Sequence, residues 1–189
     1  MAETFVEKKV LLPESFSAHV DGKKVVVSGK GKQAERLFKS EGISFEAKGN
    51  EVIVRGSPAS RRINALASTL ASHVKNMALG MEKEYTYKLS IVYSHFPMNV
   101  AAKGNLFEIN NFVGEKKTRT AKILPNVSVS VKGKEVTVKS SDKEAAGQTA
   151  ANIENATKVK GKDTRIYQDG IFIVEKAKQE QEKEGKKNG

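Results

Sequence analysis

The chain has 189 residues, and 33 Lys plus Arg against 22 Asp plus Glu give it a formal charge of +11 at pH 7. It contains no cysteine, which excludes disulfide bonds and a thiolate metal site. We find no apolar run of membrane length and no secretory signal, and therefore expect a soluble protein without a membrane partner. The positive charge favours a polyanionic partner such as nucleic acid over solubility alone, but with aromatics at 6% serial base stacking along a single strand is disfavoured.

An internal repeat organises the chain. The sequence ISFEAKGNEVIVR at 43–55 returns as VSVSVKGKEVTVK at 127–139. Each copy predicts a two-stranded hairpin with glycine at the first turn position, as a type II′ turn requires, and two further segments follow the same rule. The turn glycines of the four predicted hairpins are Gly22, Gly49, Gly104 and Gly133.

These turns fix which residues face each other across each hairpin. The predicted apolar pairs are Val20 with Val25, Ala47 with Val52, Ala102 with Phe107 and Val131 with Val136. Because a lone hairpin is marginal in water, we expect each pair of hairpins to merge into one sheet. The segment from Thr4 to Leu12 ends at Pro13 and predicts an edge strand that enters the first sheet.

One helix is predicted after each pair of hairpins. In the first half Ser57 offers an N-cap, Pro58 suits the first helical position, and Gly80 marks the end. Its apolar stripe, spaced at three and four residues, is Ile63, Leu66, Ala67, Leu70, Val74, Met77 and Ala78. This spacing predicts a helix with one face packed on a sheet.

The second helix has a different apolar face. Ser141 and Glu144 match a capping box at its start. Its predicted buried residues, mostly small, are Ala145, Ala146, Ala150 and Ile153. Smaller side chains bury less apolar surface, so we expect this helix to pack closer to its sheet than the first.

The repeated order predicts an α+β fold of two tandem similar domains, each an antiparallel β-sheet with one packed α-helix. Apolar alternation from Tyr85 to Tyr93 predicts a strand that opens the second domain. We therefore divide the chain into a first domain at 1–82, a second at 83–176 and a charged tail at 177–189. The tail is almost wholly Lys, Glu, Gln, Gly and Asn, which predicts disorder.

No motif in the sequence indicates catalysis. There is no Walker loop, nucleophile elbow or paired-carboxylate motif. The three histidines are His19, His73 and His95. They lack the spacing of metal ligands. His19 should point away from the face that carries Ala18 and Val20, or else is a half-buried strand residue. We expect a protein that is not an enzyme, with no cofactor and no small-molecule substrate.

Two basic segments are the candidate binding sites, and both are predicted to lie in turns. They are GEKKTRTAK at 114–122 and KVKGKDTR at 158–165. Their cations are Lys116, Lys117, Arg119 and Lys122 in the first, and Lys158, Lys160, Lys162 and Arg165 in the second. A solvated charge run is the alternative, but two runs on loops that leave one sheet favour a shared phosphate-binding face.

Two further features leave both a structural and a functional interpretation open. The segment from Gly29 to Glu41 carries Lys30 and Lys32, and is either a solvated connector or a phosphate-contacting loop. Asp169 and Gly170 form a turn signal ahead of an apolar run. Such a turn usually serves only to reverse the direction of the chain, although here it would let the backbone at Gly170 approach RNA.

Four segments resemble one known family, the universal large-subunit ribosomal protein six, called protein nine in eukaryotes, in its archaeal and eukaryotic branch. They are SHVKNMALG at 72–80, YKLSIVYSHFPMNV at 87–100, NFVGEKKTR at 111–119 and VKGKDTRIYQDGIFIVEK at 159–176. The tryptophan-rich stretch usual in that branch is missing between Gly49 and Arg61. The resemblance covers nearly the whole chain except the tail, and its last motif is specific.

The resemblance implies a structural constituent of the cytoplasmic large ribosomal subunit. It implies binding to large-subunit rRNA near the sarcin-ricin loop and the stalk base, beside neighbouring large-subunit proteins and the docking surface of translational GTPases. In relatives the second domain makes most of the RNA contact, which by motif position falls on Lys116, Lys117, Arg119, Lys158, Lys160, Lys162, Arg165, Gln168, Asp169 and Gly170. The charge pattern adds Lys30, Lys32 and Lys122. An extraribosomal RNA-binding or scaffolding module of the same fold is the alternative.

Overall fold

The computed structural model describes residues 5–94, 96–163 and 165–177. His95 and the predicted tail beyond Ala177 therefore lie outside the described residues. Among the described residues, no helix has both the length and the apolar character needed to cross a membrane.

The chain divides into two compact units, Met1–Glu84 and Tyr85–Gly189. Each described unit combines antiparallel sheets with one helix. This confirms the predicted α+β class with two tandem similar domains.

The first unit contains two three-stranded sheets and a helix. Its elements are β1 (Val6–Leu11), β2 (Phe16–Asp21), β3 (Lys24–Gly29), β4 (Lys32–Leu37), β5 (Ile43–Lys48), β6 (Glu51–Gly56) and α1 (Arg61–Glu82). The strand orders are β2-β3-β4 and β1-β6-β5. The predicted entering strand, β1, lies at the edge of its sheet and pairs with β6.

The second unit repeats this plan and adds a strand at its end. Its elements are β7 (Tyr85–Val92), β8 (Asn99–Lys103), β9 (Leu106–Asn110), β10 (Arg119–Lys122), β11 (Ser128–Lys132), β12 (Glu135–Ser140), α2 (Lys143–Ala156) and β13 (Gly170–Glu175). The strand orders are β10-β9-β8 and β11-β12-β7-β13. The added strand, β13, forms an edge of the four-stranded sheet and pairs with β7.

All four predicted hairpins form with the predicted register. The φ angles of the four turn glycines lie between +56° and +59°, and a positive φ at the first turn position is what a type II′ turn requires. The predicted merging of each pair of hairpins into one sheet is wrong. Each hairpin instead forms a sheet of its own with one further strand, or with two in the case of β11 and β12. The two sheets of a unit contact each other, through β2 and β5 in the first unit and β8 and β11 in the second.

The strand β4 falls inside the segment that was predicted to be a connector or a phosphate-contacting loop. Lys30 and Gly31 form the turn before it, with φ angles of 49° and 73°, and β4 then pairs with β3 along its length. The sequence of β4 carries little apolar alternation. Its strand structure therefore comes from pairing with β3, a tertiary contact that overrides a weak local preference.

The helices bury the predicted faces but their ends differ from the predictions. The N-cap of α1 is Ser60 and not Ser57, and its side chain accepts a hydrogen bond from the backbone N–H of Ile63 at 3.2 Å. Gly80 is buried inside α1, which continues to Glu82. Because Gly80 is buried within the helix, it does not act as a C-terminal cap. The presence of a glycine alone therefore placed the predicted end two residues too early.

The second helix also begins one residue later than predicted. Asp142, and not Ser141, is its N-cap, and its carboxylate accepts from the backbone N–H of Glu144 at 2.9 Å. The hydroxyl of Ser140, the last residue of β12, accepts from the backbone N–H of Asp142. The turn is thus tied by two side chains in series, a pattern that the capping-box spacing did not reveal.

Each unit has its own core, and α2 lies very close to its sheet at one point. The predicted residues Ala146, Ala150 and Ile153 are fully buried there. A Cβ atom added to Gly147 would lie 3.1 Å from the hydroxyl oxygen of Tyr87, which is tight for a carbon in contact. Glycine at this position therefore allows the helix to approach β7.

Candidate nucleic-acid interface

The two basic segments flank different elements of the second unit. The first, at 114–122, follows a 3₁₀ turn at Phe112–Gly114 and runs into β10. The second lies in the connection between α2 and β13. The prediction that both segments lie in turns is therefore wrong for Arg119 and Lys122, which belong to a strand.

Arg119 joins the two segments. Its Nε and Nη2 atoms donate to the Glu115 carboxylate at 2.8 and 2.6 Å. Its Nη1 atom donates to the carbonyl oxygens of Ala156 and Lys158, at 2.9 and 3.2 Å. The guanidinium carbon also lies 4.2 Å from the centroid of the Phe112 ring. The side chain, 26% exposed, is thus used to hold the second segment against the first.

The electrostatics around Glu115 reflect the same arrangement. The hydrogen bond from Arg119 lowers the pKa of Glu115. Burial opposes this effect, and the charges of Arg119 and of Lys162, which belongs to the second segment, contribute further lowering. A cation of one segment therefore lies within electrostatic reach of an anion of the other.

The second segment is anchored at both of its ends. At the start, the Thr157 hydroxyl accepts from the backbone N–H of Ile171 at 2.9 Å. At the end, the Asp169 carboxylate accepts from the backbone N–H of Ser94 at 3.1 Å. Both anchoring side chains are buried. A loop that is fixed at both ends has less backbone freedom to lose, which lowers the entropic cost of binding.

The side chains of α2 also cover the outer edge of β13. Besides the bond to Thr157, the backbone N–H of Ile173 donates to the Glu154 carboxylate at 3.0 Å. Exposed N–H groups on an edge strand invite pairing with other chains. These two bonds therefore occupy N–H groups of β13 that would otherwise be open to pairing.

The predicted binding residues of the second unit divide into two groups. The exposed group is Lys116, Lys117, Lys122, Lys158, Lys160, Lys162, Arg165 and Gln168. The other three, Arg119, Asp169 and Gly170, are half-buried or buried. A buried carboxylate near phosphates would repel them, so the hydrogen bond from Ser94 gives Asp169 a structural role as a loop anchor.

Lys30 and Lys32 belong to the first unit. The Nζ atom of Lys30 lies 3.2 Å from a carboxylate oxygen of Glu82 and 5.8 Å from the centroid of the Phe16 ring. Lys32 is exposed at the first position of β4. One of these two predicted cations is thus already paired within its own unit.

The two described histidines, His19 and His73, show no metal-binding arrangement. His19 is exposed on β2, as predicted, and the ring of His73 lies 6.2 Å from that of Phe38. Over the ranges that the structure describes, no group of three or more His, Cys, Asp and Glu residues could hold a metal ion.

Comparison with known proteins decides the family. The model of the family described as ribosomal protein L6 matches residues 96–170. The chain is similar to large ribosomal subunit protein uL6 of Methanococcus vannielii, at 46% identity over 172 residues that cover 91% of this chain and 94% of the relative. The same protein of Aeropyrum pernix is 45% identical over 92% of this chain and 96% of the relative. The same protein of Methanosarcina mazei is 42% identical over 91% of this chain and 98% of the relative.

The chain belongs to the ribosomal protein L6 family. This confirms the resemblance noted in the sequence. Members of the L6 family are structural components and not enzymes, so the family also confirms the prediction that the chain is not an enzyme. The segment that matches the family model contains both basic segments.

This L6-family chain has a further feature that the sequence did not reveal. The apolar run from Ile171 to Val174 is only partly buried: Ile171 is buried, while Phe172 and Val174 are 45% and 71% exposed. Because β13 lies at an edge, alternate residues of the apolar run remain outside the core. Phe172 lines an open cleft of about 610 Å³ beside the second basic segment. An apolar run on a terminal strand is the signal that could have indicated this cleft.

Proposed function

We propose that this L6-family chain is a structural constituent of the large ribosomal subunit and binds its rRNA mainly through the second unit. The contact surface is the set of exposed cations on the two basic segments, called here the cationic surface: Lys116, Lys117, Lys122, Lys158, Lys160, Lys162 and Arg165. Its relatives are named as large ribosomal subunit proteins. The observation that carries the proposal is the set of bonds from Arg119, because it ties the two segments together into one surface.

The cationic surface binds RNA by neutralising phosphates. Each ammonium or guanidinium group that meets a phosphate releases condensed counterions, which makes the affinity fall with salt. Recognition is of RNA shape, since the deep major groove of A-form helices hides the base edges. Arg119 and Asp169 keep the segments in position, and the exposed amide of Gln168 is available to sugar hydroxyls or phosphates.

The resemblance in sequence supports a more specific location. We place the RNA contact near the sarcin-ricin loop and the base of the stalk, next to other large-subunit proteins and beside the surface where translational GTPases dock. Lys32 would supply a weaker contact from the first unit. Lys30 would add to this contact if its ion pair with Glu82 is broken. In this role the protein shapes the region where translation factors bind.

The test is the salt dependence of binding to deproteinised large-subunit rRNA. The full chain is compared with a double variant, Lys117→Gln with Lys160→Gln, which removes one cation from each segment. The matched control, Lys132→Gln with Lys139→Gln, removes two exposed lysines from the four-stranded sheet. Loss of one phosphate contact lowers the slope of log affinity against log salt by about one.

We therefore expect the slope of the first double variant to fall by about two, and that of the control to stay at the wild-type value. Equal slopes for all three proteins would contradict the proposed surface. A free RNA-binding module would instead be released from large subunits that are sedimented through high salt.

A further inference from the structure

The cleft beside the cationic surface has an aromatic and apolar lining. Phe172 and Val92 lie on the same face of the adjacent strands β13 and β7, and Tyr167 belongs to the second basic segment. The three side chains are 45%, 40% and 38% exposed. Exposed apolar side chains that lie together in one cleft indicate a contact site more than scattered ones do.

The Phe172 ring occupies the space that a side chain at position 170 would fill. A Cβ atom added to Gly170 would lie 2.9 and 3.0 Å from two atoms of this ring. The ring therefore lies against the backbone of its own strand, in space that only glycine leaves open. A flat ring that is held in this way while 45% exposed offers a fixed stacking surface.

The polar groups around the cleft suit a nucleotide. The cleft is lined by Lys158 and by the exposed amides of Asn155 and Gln168. Its two carboxylates, of Glu154 and Asp169, accept from the backbone N–H groups of Ile173 and Ser94. The Nζ atom of Lys162 lies 4.6 Å from the centroid of the Tyr167 ring. Side-chain amides supply both donors and acceptors, which the edge of a base requires, and ammonium groups supply the charge that phosphates require.

We propose that this cleft takes one unpaired base of RNA, which stacks on Phe172 beside Tyr167 while its flanking phosphates contact Lys158 and Lys162. The inference rests on the proposed function, since it needs RNA at the cationic surface. Continuity with the cationic surface, which Lys158 joins to the cleft, favours this occupant over an apolar segment of a protein, since an anion that carries a flat ring can reach the aromatic surface and the lysines together. The volume of about 610 Å³ is within the range of small-ligand sites.

The experiment compares two RNA hairpins that differ in one nucleotide. One carries a single bulged 2-aminopurine, whose fluorescence falls when it stacks, and the other is fully paired. We expect the wild-type chain to bind the bulged hairpin about tenfold more tightly and to quench its fluorescence, since stacking of a base on an aromatic side chain typically changes affinity by roughly 5- to 150-fold.

Two variants test the residues of the cleft. Phe172→Leu keeps an apolar side chain but removes the ring, and we expect it to lose both the preference and the quenching while its salt slope is unchanged. Gly170→Ala keeps every side chain of the cleft but displaces the Phe172 ring, and should weaken the same two signals. The matched control is Phe96→Leu, because Phe96 is 43% exposed and does not line the cleft. It should behave as wild type.

The outcomes separate the inference from the proposed function. Equal affinity for the two hairpins, with unchanged fluorescence, would overturn the base-binding cleft and leave the rRNA-binding function standing. Failure to bind both hairpins and deproteinised large-subunit rRNA at low salt would overturn the function and the inference together. A preference that survives in Phe172→Leu would also overturn the inference.

Discussion

The two units share a succession of strands and a helix but use their arginines differently. In the first unit Arg55 lies on the surface of a sheet, 3.2 Å from a carboxylate oxygen of Glu7 and 2.8 Å from one of Glu46. In the second unit Arg119 bonds to backbone carbonyls of another segment. The first arginine neutralises local acids. The second, besides its pairing with Glu115, holds two segments together while the lysines around it stay exposed. One scaffold thus supports a surface with paired charges and a surface with open cations.

The helices of the two units differ in length and in the size of the side chains that they bury. The first, α1, has 22 residues and buries Leu70, Val74 and Met81, whereas α2 has 14 residues and buries mainly alanines. At roughly 0.8 kcal/mol per buried methylene, α2 gains less from each side chain. The second unit depends instead on close approach to its sheet, and should therefore tolerate added volume or charge less well.

The largest expected effect is on the packing of α2. Ala150 is fully buried, and Ala150→Glu would place an unpaired carboxylate against the core. We expect the free energy of unfolding of the second unit to fall by about 3 to 5 kcal/mol. The chain contains no tryptophan, and all four of its tyrosines lie after residue 84. Tyrosine fluorescence during urea unfolding therefore reports on the second unit. The matched control, Gln148→Glu, adds the same charge on the exposed face and should leave the transition near its wild-type midpoint.

An intermediate effect is expected for the two arginines. Arg119→Lys keeps the charge but loses the forked bonds to the Ala156 and Lys158 carbonyls, which should destabilise the second unit by about 1 to 2 kcal/mol. Its rRNA affinity should fall while the salt slope stays the same. Arg55→Lys in the first unit should cost less than about 0.5 kcal/mol, since exposed ion pairs contribute little. Equal losses in the two variants, measured by urea unfolding with far-UV circular dichroism, would remove the distinction drawn between the units.

The smallest expected effect depends on pH. The pKa of Glu115 in the folded chain is lowered from its ordinary value of 4.5 by the bond from Arg119. Its contribution to stability is therefore complete above pH 4.5 and is lost as the pH falls through the lower, folded pKa. The difference in unfolding midpoint between wild type and Glu115→Gln should be present at pH 7 and should shrink toward pH 3. A difference that stays constant with pH would show that Glu115 acts by some means other than its charge.

Local patterns in the sequence were enough to predict the hairpins and their register. Glycine at a turn and alternation beside it act within a few residues, and Gly49 and Gly133 adopt the predicted conformation. The strand β4 and the division into two sheets were missed because they depend on pairing between segments. Both N-caps were misplaced because neighbouring Ser and Asp residues give nearly equal local signals.

The charges of the candidate site were predicted, but their roles were not. A sequence shows that Arg119 and Lys117 are both cations. It does not show that Arg119 bonds to Lys158, 39 residues away, while Lys117 remains exposed. The cleft depends in the same way on a contact between Gly170 and the ring of Phe172. Such roles follow only from the folded arrangement.

Crosslinking tests the central claim most directly. The full chain is bound to deproteinised large-subunit rRNA, irradiated and digested, and the peptides that carry nucleotides are sequenced together with the attached RNA. We predict adducts in residues 114–122 and 158–168, on RNA near the sarcin-ricin loop. Adducts confined to the first unit, or scattered over the rRNA without preference for these two segments, would contradict the account.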